Sequence, residues 1–501
     1  MKTKIFVFIF CILLIADSQY AQNIINTLDI NGFFTIKDAS TNYFTLSQST
    51  GQVNILNTLR LENTINSATG VIYKGGNRFL HNYGNNNLFM GINSGNFTMT
   101  GYNNTAIGNF SFLSNTTGTN NSAFGESSLS NNTEGIYNSA FGNYSLYLNI
   151  SGYGNSAFGN QSMTSNTLGF ENSAFGNSSL YSNTYGSYNS AFGTQSLSFN
   201  TTGGSNAAFG NQSLYSNTEG YQNSAFGYQS LNFNTTGNQN STFGNQSLYH
   251  NIMGNENTAF GVLSLFNNIN GSQNTAFGVR SLFNSIGNYN TAVGYNAGST
   301  ITTGSNLTCI GIDAAPTSST AVNQITLGNI FVSSLRCNVT TITSLSDARD
   351  KKNIKDLSLG INFLMKIKPR IFNWDKREWY EDNISDGSKT KVSPSAGFIA
   401  QELDEIQTTE NAEWLNLVLK DNPEKWEATP GNLFPIVVKA IQDLKTENDE
   451  LKTACLTATQ ENNELKERLT KLEETQNILA LEIETIKSSI TVSREVKVTE
   501  K

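Results

Sequence analysis

The sequence predicts a mainly β, elongated parallel β-roll or solenoid of 17-residue repeats, followed by a small α+β domain and a C-terminal α-helical coiled coil. Three observations carry that reading. A glycine recurs every 17 residues from Gly91 to Gly278, then at Gly294, one residue early, and on the beat again at Gly311 and Gly328. Charge is segregated, with most Lys, Arg, Asp and Glu after residue 345. The last stretch carries apolar residues in heptads. A short fixed period means stacked copies of one small unit, an array in which each copy touches only its neighbours.

One complete copy is Asn223-Ser224-Ala225-Phe226-Gly227, followed by Ser230-Leu231 and Gly237. Asn-Ser-Ala-Phe-Gly suits a short strand, and Ser213 to Ser216 suits a second strand of the same coil. Glycine and Asn tolerate positive φ and permit the tight turns between them. Stacked at about 4.8 Å, roughly 15 coils would make a rod of about 70 Å. Phe and Leu at fixed offsets are expected as inward ladders, with the Ala beside each Phe leaving room for the opposite wall. Asn at a fixed offset, from Asn87, Asn104 and Asn121 to Asn274, is expected to stack as an amide ladder that satisfies backbone groups. A thin coil has little core, so three rolls side by side would bury the remaining Phe, Leu and Tyr rows. Tyr147, Tyr181, Tyr215 and Tyr249 would pack against a neighbouring chain or form a glycan-binding ladder. Triplets such as Asn115-Thr116-Thr117 match a glycosylation signal, but so Asn- and Thr-rich a chain produces them by composition alone. The repeats, residues 87–328, resemble the head repeats of trimeric autotransporter adhesins and the fibre repeats of phage tail proteins. That resemblance implies three chains packed as parallel β-rolls.

At the N-terminus, Met1-Lys2-Thr3-Lys4 precedes an apolar stretch from Ile5 to Ala16, with Ala21 before Gln22. Residues 1–21 read as a signal peptide, too short for a membrane span. Cys11 would leave with it. Residues 22–86, with the β-like runs Phe33–Lys37 and Val53–Leu56, read as an N-terminal β cap or attachment region that hides the open end of the array.

Composition also excludes functions. The net charge of −8 sits mainly in the C-terminal part, and no basic stripe argues for nucleic acid. Between Gly91 and Gly328 the charged residues are Glu126, Glu134, Glu171, Glu219, Glu256, Arg280 and Asp313. A glycan-degrading enzyme needs a carboxylate pair in a cleft, which this scatter does not offer. His81 and His250 are the two histidines, and Cys309, Cys337 and Cys455 are widely spaced. His-based triads, metal sites and a disulfide framework are not expected, and the cysteines read as small buried residues. No cofactor is called for.

After a linker at 329–345 the language changes. Ser346-Asp347-Ala348-Arg349-Asp350-Lys351-Lys352 is followed by Pro369-x-x-Phe372-x-Trp374 and Gly397-Phe398-Ile399-Ala400-Gln401-Glu402-Leu403. In this order the three elements resemble the intramolecular chaperone domain of tail spikes and fibres, the peptidase S74 family, over residues 346–445. The resemblance implies a domain that assembles three chains and then cuts itself off at Leu345–Ser346. It maps the family's serine nucleophile to Ser346 and its lysine to Lys351. A serine hydroxyl needs a base, and a lysine can serve if burial or neighbouring cations keep its amine neutral. Arg349 and Lys352 stand close enough in sequence to contribute such repulsion, and Lys352 is a rival base. Asp347 and Arg349 match the motif in structural roles. On spacing alone, Ser346-Asp347 could instead cap a helix with Lys351 solvated.

The coiled coil spans 437–490, with d at Val437, Leu444, Leu451, Ala458, Leu465, Leu472, Leu479 and Ile486, and a at Ile441, Asn448, Cys455, Asn462, Leu469, Gln476, Ile483 and Ile490. That is about eight heptads, roughly 80 Å of helix. Residues 491–501 read as a disordered tail. The expected protein is a secreted or cell-surface homotrimeric fibre or adhesin with a self-releasing chaperone domain and a cell-surface glycan or protein receptor. The alternative is a phage-derived virion tail fibre with a non-cleaving trimerisation domain.

Overall fold

The computed structural model describes residues 33–37, 42–47, 50, 52–55, 59–336, 338, 344 and 346–496. The expected signal segment 1–21, with Cys11, and also Cys337 and Leu345 lie outside the described residues. The chain falls into two compact units that divide within the repeats, Met1–Ser241 and Thr242–Lys501. Repeat coils occur in both, about 14 in all.

In the first unit, strands Phe33–Lys37, Asn42–Ser47 and Val53–Ile55 form an antiparallel sheet. A hairpin, Ile72–Lys74 with Asn77–His81, follows. Gly75 and Gly76 make its two-residue turn at φ 57° and 80°, the positive values such hairpins require. Its second strand runs antiparallel to Leu88–Met90, which then pairs in parallel with Thr105–Ile107. The hairpin therefore covers the edge of the first coil, as an open sheet end requires.

From there each coil contributes one three-residue strand, paired in register with the next: Ser173↔Ser190, Ala174↔Ala191, Phe175↔Phe192. The second unit repeats the pattern, with Thr258–Phe260 against Thr275–Phe277. Because strand residues alternate sides, one of the three points inward. It is the Ala: Ala174, Ala191, Ala259 and Ala276 are fully buried, whereas Phe175 and Phe277 are 36% and 52% exposed. The expectation of an inward Phe ladder is corrected here. Where the inward Leu fills the opposite wall, the strand position has room for a methyl group and none for a ring; in the first coil, where Gly95 takes the Leu place, the Phe89 ring points inward and is fully buried.

The expected second strand is also absent. Ser213 to Ser216 lies in a run of turns, with Gln212 and Leu214 at φ 55° and 50°. Positive φ at residues two apart is incompatible with extended backbone. The segment is a corner that aims Leu214 into the coil, where it is fully buried. Leu is thus the inward ladder that was expected, reached by a different backbone. Ser213 closes the corner, its hydroxyl donating to Gly210 O at 3.0 Å.

The beat glycine has a geometric cause. Gly159 sits at φ 144°, and a Cβ there would lie 2.4 Å from Gly176 O of the next coil. Only glycine satisfies both the left-handed backbone and the close stacking.

The expected amide ladder is present. Asn189 accepts on Oδ1 from Asn206 N at 3.0 Å and donates from Nδ2 to Asn172 Oδ1 at 3.1 Å and Gly203 O at 2.9 Å. A second ladder, not expected from the sequence, runs through Asn132, Asn149, Asn166, Asn183, Asn200, Asn217 and Asn234. There Asn183 Nδ2 donates to Asn166 Oδ1 at 2.8 Å and Gly186 O at 2.9 Å. Asn115 begins this row and is fully buried, so the triplet Asn115-Thr116-Thr117 is structural and closed to a glycan. In the second unit the row reaches Asn268. Its Oδ1 is buried without a hydrogen-bond partner, because the next coil carries Ser285 there. That same coil is the one shortened by a residue ahead of Gly294. Cys309 takes an Ala place in the strand ladder, opposite Ala292, and burial pushes its thiol up to about 11.

The C-terminal domain packs around Phe363, Ile367, Leu403, Leu415, Leu417, Leu433 and Ile436. It contains helices Ile361–Leu364 and Ala400–Thr409, and the strand pairs Arg370–Phe372 with Ser395–Gly397 and Val418–Leu419 with Glu427–Ala428. The final helix spans Phe434–Val496. Its first turns belong to the domain core and the rest carries the heptads. Residues 491–496 are helical, so the helix passes the end expected at Ile490. No helix among the described residues is long and apolar enough to cross a membrane.

Candidate functional site: the Ser346–Lys351 turn

Ser346 to Lys351 is a single tight turn. Asp347 caps a 3-10 helix of Ala348–Asp350, its carboxylate accepting from Arg349 N at 2.9 Å. The turn closes where Lys351 N donates to Ala348 O at 3.2 Å. Capping by a short acidic side chain is the ordinary way to start such a turn, so the capping alternative is realised at Asp347. Its consequence is chemical: the turn swings Lys351 back over Ser346, and Lys351 Nζ donates a hydrogen bond to Ser346 Oγ. The two residues singled out from the motif are therefore in direct contact. The expected carbonyl partner, Leu345, lies outside the described residues.

Arg349 behaves differently from the expectation. Its guanidinium folds onto Asp347, with Nη2–Oδ2 at 2.6 Å and Nε at 3.1 Å from both carboxylate oxygens. This pairing, through the side chain and then the backbone N–H, holds the Asp347 carboxyl below its ordinary range. A cation so neutralised contributes little repulsion to Lys351. Ser346 and Lys351 are both solvent-exposed.

The other two motif elements build the domain. Arg370, in the segment after Pro369, forms a two-pronged ion pair with Glu402 of the Gly-Phe-Ile-Ala-Gln-Glu element, at 3.0 and 2.6 Å. Arg370 holds the Glu402 carboxyl below its ordinary range. Gly397 pairs with Arg370 across the strands, and a Cβ there would press the Phe372 ring at 3.2 Å. Phe372 meets Trp374 edge to face at 5.2 Å. Residues that sequence reasoning passed over complete the frame. Gln407 is buried, its Oε1 accepting from Leu417 N at 3.1 Å and its Nε2 donating to Asp404 at 3.0 Å. Asp443, on the long helix, accepts from Ile361 N at 3.2 Å and pairs with Lys439 at 2.5 Å. Asp443 announces itself in sequence only as another helix carboxylate.

The motif order, the ion pair joining its second and third elements and the contact within its first all fall in one region. Residues 346–411 match the family model of the chaperone of endosialidase. The chain thus carries a chaperone-of-endosialidase domain after its β-solenoid repeats, and the match begins at Ser346. No curated protein and no solved structure matches the chain. The domain supports an intramolecular chaperone role in a fibre-like protein.

Proposed function

We propose that this is a secreted or surface homotrimeric fibre whose C-terminal domain aligns three chains and then releases itself by cutting Leu345–Ser346. The observation that carries the reading is the hydrogen bond between Lys351 Nζ and Ser346 Oγ at the first residue of the matched domain. In the reactive state, with Lys351 neutral, its amine takes the hydroxyl proton while Ser346 Oγ attacks the Leu345 carbonyl carbon. The C–N bond then breaks, the proton passes to the Ser346 nitrogen, and an ester links Leu345 to Oγ. Water hydrolyses that ester to the Leu345 carboxylate and a free serine N-terminus.

Assembly has its own support. Leu444, Leu451, Leu465, Leu472, Leu479 and Ile486 all lie exposed along the helix seam, a row that a coiled coil buries only against other chains. Near-identical coils can stack in many registers, and a clamp at one end removes that ambiguity. The receptor would be a cell-surface glycan or protein.

The exposure of Ser346 and Lys351, and the pairing of Arg349 with Asp347, favour a second reading: a phage-derived tail fibre whose domain trimerises without cutting. Intact mass decides. Self-release yields a fragment of 346–501 beginning with serine. Ser346→Ala abolishes the cut, Lys351→Ala slows it severely, and Lys352→Ala changes it little. A wild-type trimer that stays whole establishes the non-cleaving reading.

A further inference from the structure

Within the second unit the interior of the repeats changes character. In the coil from Gly261 the inward side chains are Ser264, Leu265, Asn268 and Asn274, all fully buried. In the coil from Gly294 the equivalent places carry Ala297, Gly298, Ile301 and Leu307, and the three side chains are again buried. Ile301 takes up the room left at Gly298, where a Cβ would lie 2.8 Å from Leu282 Cδ2 and 3.0 Å from Ile301 Cδ1. Cys309 and Ala314 continue this apolar interior. Both amide ladders stop at the same boundary. One loses its next rung at Ser285, which leaves Asn268 Oδ1 without a partner. The other ends at Asn290, fully satisfied. Asn290 Oδ1 accepts from Leu307 N at 3.1 Å, and its Nδ2 donates to Gly304 O at 2.9 Å. The backbone of the first apolar coil is therefore the seat of the last rung.

We propose that the terminal coils, residues 291–328, are the folding template on which the amide-laddered coils close one after another. The proposal rests on the chaperone role of the C-terminal domain and adds where along the array that role is exerted. A laddered coil standing alone leaves its inward amides without the rungs on either side, and an unmet buried amide is strongly unfavourable. A coil filled by Ile301 and Leu307 gains from burial without requiring an amide next to it. An array of uniform coils could start anywhere. This one starts most readily at its apolar end.

The terminal coils also define a register. Near-identical strands do not distinguish one partner from another, whereas Leu307 N and Gly304 O offer a laddered coil one seat, set beside an interior unlike the rest. The domain holds this template within the same unit. Gln324, immediately before the last strand Ile325–Leu327, donates from Nε2 to Asp421 Oδ2 at 2.9 Å and accepts on Oε1 from Thr317 N at 3.1 Å. Lys376 Nζ reaches Ile330 O, just past that strand, at 3.5 Å. A folded domain thus steadies the last coil, the last coil supports the apolar one before it, and that coil receives Asn290.

Pulsed amide exchange during refolding of the full chain tests it, in a Ser346→Ala background that keeps the domain attached. Protection is expected first in 361–436, next in 291–328, and only then in the coils before Asn290, those nearest it leading. Ile301→Val, one methyl group smaller, is expected to slow refolding of the coils about two- to ten-fold. Leu214→Ala, a larger truncation at an inward place of a laddered coil, is expected to leave that rate unchanged and to speed unfolding. If the coils before Asn290 gain protection with or ahead of 291–328, or Ile301→Val refolds at the parent rate, the template is overturned and the chaperone role stands. If 291–328 leads the coils while 361–436 is protected last, the template stands and the chaperone role falls.

Discussion

The repeat coils and the C-terminal domain solve the problem of an interior in opposite ways. In the domain, Phe363, Leu403, Leu417 and Ile436 meet in an apolar cluster of the familiar kind, beside the buried amide of Gln407. In the coils the interior is largely polar. Asn189, Ser196 and Asn200 are as buried as Ala191 and Leu197, and each amide bonds to the coils on either side. The difference follows from width. A coil of 17 residues encloses too little volume for a hydrophobic core, so cohesion comes from hydrogen bonds repeated at every step, and the bulky apolar rings go outside. Stability in the coils is thus nearest-neighbour and one-dimensional. In the domain it is shared among contacts distant in sequence.

The contrast can be broken, beginning with the largest effect. Gly176→Ala sets a Cβ 2.4 Å from Gly193 O at a φ of 145°. It is expected to cost more than about 4 kcal/mol, the range of backbone clashes that cannot relax, and to abolish amide-exchange protection in the coils on either side of Gly176. No single glycine of the C-terminal domain is expected to act so strongly.

Next, Asn189→Ala removes one rung and leaves one buried group without its partner, the Asn206 N–H, while the Gly203 carbonyl keeps the bond from Asn200 Nδ2 at 2.9 Å. At about 1–3 kcal/mol for a buried orphan, the expected loss is of that size. Amide exchange should quicken in the coils around 172–206 and stay unchanged in residues 346–436, which would confirm that the coils share stability only locally.

Acid provides a gentler probe of the end of the array. His81 is buried between Phe89 and Phe97, with ring centroids at 4.9 and 4.8 Å. Its Nε2 contacts Ser94 O at 2.9 Å and its Nδ1 accepts from Tyr83 N at 3.3 Å, which fixes the neutral tautomer. Burial, with a smaller contribution from Arg78, lowers its pKa below the ordinary 6.5. The unfolded chain then binds the proton more readily than the folded one. The stability of this cap is complete above about 6.5 and falls as pH drops below it toward the folded value. His81→Phe should flatten that dependence in exchange measured over 78–97, without altering the behaviour of the C-terminal domain.

The smallest effect is expected at Arg370→Ala. The ion pair with Glu402 is exposed, and exposed pairs contribute little. The Tm should stay within measurement error of wild type and the strand pair beside it should persist. A large drop would mean that the domain relies on surface ion pairs and that the contrast with the coils is misdrawn.

Periodicity made much of this protein legible in advance. The 17-residue beat, the Asn104-to-Asn274 ladder, the inward Leu and the heptads from Val437 to Ile490 depend on what recurs, and recurrence is visible in a one-dimensional string. The chaperone domain was legible through the order of three motifs, and the pair Ser346 and Lys351 through the first of them.

Other features were decided in three dimensions. Ser-Ala-Phe has two outward-inward assignments, and side-chain hydrophobicity argues for the wrong one. The distance between opposite walls of the coil chooses Ala, a quantity no residue type encodes. Leu214 in a left-handed corner is equally silent, because Leu carries no signature of positive φ. Arg349 stands two residues from Asp347 and from Lys351 alike. Only the 3-10 turn determines that it folds back on the carboxylate and that Lys351 is the side chain reaching Ser346. Sequence alone determined the period and the chemistry carried by each residue. The tertiary structure decided which side of the backbone each faced, since facing depends on the space left by neighbouring chain segments.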